Sequence, residues 1–63
     1  MCLAKAFLEE KGKKELVLEE VALIEIEGKQ LLLSTIFGEK KGIKATIREV
    51  DFQNSSVILK KTD

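Results

Sequence analysis

ELVLEEVALIEIEG, residues 15–28, admits two foldings, and the choice between them decides the class of the domain. Its Leu, Glu and Ala content tolerates a helix, and Leu16, Glu20 and Leu23 fall at near-helical spacing. Against that, Ala22, Ile24 and Ile26 alternate with Leu23, Glu25 and Glu27, which is the two-residue period of a strand. β-Branched residues pack well on a pleated surface and favour the second folding. The stretch therefore predicts a short strand near 15–18, a kink at Glu19 and Glu20, and a longer strand near 21–27. Gly28 and Lys29 then make a tight connection, so QLLLSTIF (30–37) pairs back as the second arm of a hairpin.

Working outward, the same period recurs. In MCLAKAFLEE (1–10), Cys2, Ala4, Ala6 and Leu8 share one face, the small apolar one, while Leu3, Lys5, Phe7 and Glu9 share the other. EEKGKK (9–14) is a polar turn around Gly12, and GEKKG (38–42) is expected to be a solvated loop. IKATIREVDF (43–52) puts Ile43, Ala45 and Ile47 on one face but Val50 and Phe52 on the other parity, which predicts a bulge near Arg48 and Glu49. Asn54, Ser55 and Ser56 turn the chain into a last strand, VILKK (57–61). The expectation is one all-β domain over residues 1–63: a small barrel-like or strongly curled antiparallel sheet of five to six short strands. Alternation is expected to bury its three phenylalanines.

A chain of 63 residues buries only about 60% of the surface its unfolded form exposes. Domains of this size usually recruit disulfides, a metal or a partner subunit. Cys2 is the only cysteine, so no internal disulfide is available. A homodimer is expected, since it would also cover the sheet edges. Eleven basic residues balance eleven acidic ones, which argues against strong electrostatic capture of nucleic acid. The sequence has no spanning apolar run and no signal-peptide pattern at its start, and with its lone thiol it is expected to be cytoplasmic, away from membranes.

The thiol beside the amino terminus carries the chemistry. Met1 offers an α-amine with a reference pKa of about 7.7–8.0, and Cys2 a thiol near 8.5; a cation displaces both protons at modest cost. Between them lies the backbone amide of Cys2, which Ni(II) or Cu(II) can deprotonate once the flanking donors bind. Two fused five-membered rings result, nearly coplanar, which suits square-planar Ni(II) better than tetrahedral Zn(II). Three donors fall one short of a plane, and a two-fold partner can bring the rest. The competing reading of Cys2 is a small buried hydrophobe. A catalytic thiol has no histidine base and no second cysteine here, so no enzyme activity is expected.

MCLAK at the start, IFGEKKGIKATIREVDF (36–52) and VILKK resemble the CooT family of small nickel-binding proteins, also catalogued as predicted RNA-binding proteins. The resemblance implies a homodimer of a compact β fold that binds Ni(II) through Cys2 near the dimer interface. It also implies a part in nickel supply for maturing carbon monoxide dehydrogenase, with that enzyme or its maturation proteins as partners. Met1 joins Cys2 as a metal ligand on the chelate argument. The expected function is a nickel carrier or chaperone.

The alternative is a small single-stranded RNA-binding β domain. Lys11, Lys13 and Lys14, then Lys40, Lys41 and Lys44, then Lys60 and Lys61 would follow a phosphate backbone if they met on one face, and Phe37 or Phe52 would stack on bases. Interleaved Glu9, Glu10, Glu15 and Glu39 point instead to a solvated surface. Glu19, Glu20, Glu25 and Glu27 lack the spacing of a calcium loop and read as solubility residues.

Overall fold

The computed structural model describes residues 3–62. Six strands follow one another: β1 (Ala4–Glu10), β2 (Lys13–Glu27), β3 (Gln30–Thr35), β4 (Lys40–Ile43), β5 (Ala45–Asp51) and β6 (Ser56–Lys61). They form one sheet in the order β4-β3-β2-β1-β6-β5, and no helix occurs among the described residues.

The ambiguous stretch is a single bent strand. Residues Lys13–Leu18 of β2 pair with β1, residues Leu23–Glu27 pair with β3, and Val21 faces Ala4 on one side and Thr35 on the other. Between the two halves the register slips at Glu19-Glu20, and Glu20 adopts a φ of 58°. Such a bulge lets one strand leave one layer and enter the next, turning the sheet through a corner. The kink expected at the two glutamates is therefore present, as a bulge within one long strand. A second corner lies at Lys44, the only residue between β4 and β5. Those strands are the two outer edges of the sheet, so a one-residue link between them forces the sheet to curl into a half-barrel.

Tight turns fix the hairpins. Lys11 and Gly12 both take positive φ, 52° and 79°, the pattern of a type I′ turn. At the other hairpin Gly28 alone is positive, at 63°, as a type II′ turn requires. The concave side holds the core: Ala6, Val21, Leu31, Leu33, Ala45, Val57 and Leu59 are buried together, with Ala4, Leu8, Leu18, Ile24, Ile43 and Ile47 packed around them. Ala4, Ala6 and Leu8 thus face inward together, as the alternation requires. Fully burying a leucine such as Leu33 or Leu59 contributes roughly 1.5–3 kcal/mol. On the convex side a row of Leu16, Phe7 and Ile58 crosses β2, β1 and β6, with Ile58 buried.

Four expectations are corrected. The sheet is not antiparallel throughout: β1 and β6 run parallel, from Lys5 beside Ser56 to Glu9 beside Lys60. The chain returns to β1 only after passing through four intervening strands, so no hairpin constrains the direction. GEKKG is not all loop, because Lys40–Gly42 pair with Leu32–Ser34 as part of β4. IKATIREVDF is not one strand; Lys44 divides it, while the expected bulge appears between Ile47 and Glu49. Finally, Phe37 and Phe52 are not buried, being 73% and 86% exposed. Both follow the last paired residue of a strand, where the alternating contacts of the ladder end.

Candidate functional site

β1 is a central strand, flanked by β2 and β6, and its first residue opens onto a groove at the uncurled side of the half-barrel. Ala4 and Val57 line its inner part, Val21, Leu23 and Ile24 one wall, and Val50, Asp51, Phe52 and Ser55 the other. The groove holds about 210 Å³. Its walls come from the two irregular places in the sheet, the β2 bulge and the β5–β6 turn. Bulges and turns end the regular pairing that elsewhere brings the layers together.

The β5–β6 turn is held firmly. The Asp51 carboxylate accepts hydrogen bonds from the Asn54 side-chain amide at 2.8 Å and the Asn54 backbone N–H at 3.1 Å. These bonds, the side-chain one foremost, hold the Asp51 carboxyl below its ordinary value of 3.8. Lys5 N–H donates to the Ser55 carbonyl at 2.9 Å, tying the turn to the start of β1. Phe52 therefore projects from a fixed support. Together with the half-exposed Leu23 and Val50 it gives the groove an apolar rim.

Met1 and Cys2, the expected metal ligands, lie outside the described residues. Among the described residues no group of three or more His, Cys, Asp or Glu side chains is placed to hold a metal ion. Glu25 is exposed on β2, paired with Leu32, and Glu27 ends that strand, also exposed. The lysine clusters meet only in part: Lys44 lies at the end of β6, its carbonyl accepting from Thr62 N–H and its neighbour Ala45 in register with Lys61. Lys13, Lys14 and Lys60 stand in register with Glu10 and Glu9, Arg48 pairs with Glu9, and Lys61 lies 3.8 Å from Glu10. Lys40 and Lys41 sit on β4, separated from β1 in the sheet by β3 and β2. The residues that sequence reasoning missed are Leu23 and Val50, and Phe52 it considered only as a base-stacking residue: their apolar character is plain, but exposure depends on where the layers diverge.

The model of the CO dehydrogenase accessory protein CooT matches residues 1–60. The chain belongs to the CooT family. A crystal structure assigned to CooT from Carboxydothermus hydrogenoformans superposes with a TM-score of 0.91 at 37% identity, covering 98% of this chain and all of that one. The search of curated proteins gives no match. The family is described as a CO dehydrogenase accessory protein. No helix of the described residues is long and apolar enough to cross a membrane.

Proposed function

We propose that the chain is a cytoplasmic nickel carrier serving a nickel enzyme such as carbon monoxide dehydrogenase, and that it works as a homodimer. Ni(II) is its cargo, held by the Cys2 thiolate with the Met1 amine and the amide between them. The observation that carries the reading is the place of the groove within a chain of the CooT family. Ala4 lines it, and Cys2 is two residues upstream in the sequence. A partner that covers the apolar rim of Leu23, Val50 and Phe52 would bring its own amino terminus to the same place.

Pairing across this rim does two things for the chemistry. It buries apolar surface that the monomer leaves in water, and two-fold symmetry then doubles the donors near the axis. The described residues offer no competing metal cluster, so the donors in this reading come from the two chain starts. The alternative of RNA binding draws support from exposed Phe37 and Phe52, but Asp51 adjoins Phe52, and Lys13, Lys14, Lys60 and Lys61 each stand beside Glu9 or Glu10, carboxylates that oppose a phosphate backbone.

Titration with Ni(II), followed by thiolate-to-metal charge-transfer absorption, tests the reading. The band is expected with the natural chain and absent with Cys2→Ser. An unchanged affinity in Cys2→Ser removes the proposal. Salt-sensitive binding of mixed single-stranded RNA that ignores the same substitution would promote the alternative.

A further inference from the structure

β4 and β5 are the two edges of the sheet, and they are built differently. Along β5 the register with β6 shifts between Ile47 and Glu49, a bulge that twists an edge away from further pairing. β4 pairs with β3 in unbroken register from Lys40 to Ile43. Lys40, Lys41 and Gly42 are exposed. The outer row of N–H and C=O groups on such an edge is a template for one more strand.

Charge decides which strand is admitted. Lys40 and Lys41 lie on the edge and Lys44 just beyond it, with Glu39 the one acidic residue in the segment 38–44. Antiparallel pairing of β4 with a second copy would place Lys40 and Lys41 of both chains on a single short ladder, where like charges destabilise. An extended segment carrying carboxylates meets the opposite situation.

An anchor stands at the head of the edge. Phe37 is 73% exposed and its neighbour Ile36 is half exposed, in the loop that leads into β4. That loop is fixed by its backbone. The buried Thr35 hydroxyl accepts from the Phe37 and Glu39 N–H groups, each at 3.2 Å; Ile36 N–H donates to the Glu20 carbonyl, and Gly38 N–H to the Thr35 carbonyl. An aromatic side chain on a support already ordered loses little freedom on binding, which is the condition for an efficient contact.

We propose that β4 is a strand-addition site for an extended, acidic segment of another protein, with Phe37 as its apolar anchor. Main-chain bonds to the edge would supply affinity, and the lysines would select for acidic sequence. A nucleic acid would also be drawn to the lysines, but it has no use for the row of backbone donors and acceptors, and it needs stacking partners on one face. This site is independent of Cys2, so its failure would leave the nickel reading untouched.

The test is amide hydrogen exchange on the full chain with a synthetic peptide of alternating Glu and Val. Exchange at residues 40–43 is expected to slow on peptide addition, while the amides of β5 stay unchanged. The double variant Lys40→Glu, Lys41→Glu should bind about tenfold more weakly, and Phe37→Ser several-fold more weakly with unaltered exchange in the free protein. A Lys/Val counterpart peptide should give no protection. The proposal is overturned if the acidic peptide leaves residues 40–43 unprotected, if the Lys/Val peptide protects them equally, or if oligouridylate displaces the acidic peptide at lower concentration. It also fails if these amides are already protected in the free protein and become unprotected on dilution, since a second copy would then occupy the edge.

Discussion

The closed side of the half-barrel and its open side use the same kinds of side chain and do opposite things with them. Where the layers curl together, Leu31, Leu33, Ala45 and Leu59 are buried almost completely. Where they diverge, between the β2 bulge and the β5–β6 turn, Leu23, Val50 and Phe52 stand in water around a groove. An apolar residue is core or rim according to whether the facing layer reaches it. Two backbone irregularities decide that: the bulge at Glu19-Glu20, and the turn clamped by Asp51 and Asn54.

The comparison is sharpest when broken from the closed side. Leu33→Ala leaves a void among fully buried neighbours and is expected to cost about 2–5 kcal/mol, read as a lower midpoint in urea. Phe52→Asp on the open side should change monomer stability by no more than about 0.5 kcal/mol. If the proposed homodimer forms across this rim, Phe52→Asp should nonetheless leave only monomer in sedimentation, because a charge would then sit in the apolar rim. Equal destabilisation at the two positions would mean that the rim is core after all.

A smaller effect is expected at the bulge. Glu20 holds a left-handed φ of 58° that only glycine adopts without strain. Glu20→Gly should raise stability by about 1 kcal/mol in thermal unfolding, and a clear loss would show that the side chain itself supports the corner. The smallest effect concerns the clamp. Because hydrogen bonds from Asn54 lower the Asp51 pKa in the folded state, their stabilisation is present above the ordinary value of 3.8 and is lost as pH falls through the folded value. The stability gap between the natural chain and Asn54→Ala should therefore close on acidification below pH 3.8, and a gap that widens there would reverse the assignment.

Much of this fold is written in the sequence. The strand period, the hairpin at Gly28-Lys29, the kink at Glu19-Glu20 and the bulge by Arg48 all have local causes: alternation, permissive glycine, or a change of parity. What alternation does not carry is which strands end up adjacent. The parallel neighbour of β1 is β6, some fifty residues later, and the Lys44 corner looks locally like the middle of one strand. Exposure of Phe37 and Phe52 was likewise beyond local pattern, since parity says which way a side chain points but not whether anything is there to meet it. The proposed site divides the same way: a thiol beside an α-amine is read from one dipeptide that lies outside the described residues, whereas the groove lined by Ala4 exists only once β2 bends.

The proposal stands on metal binding at the chain start requiring pairing at the open side, while pairing does not require the metal. Native mass spectrometry of the nickel-loaded protein tests it most directly. The account predicts nickel mass on the two-chain species alone, lost together with that species in Phe52→Asp and lost without dissociation in Cys2→Ser. Equal nickel occupancy on single chains, or a dimer that keeps its nickel after Cys2→Ser, would contradict it.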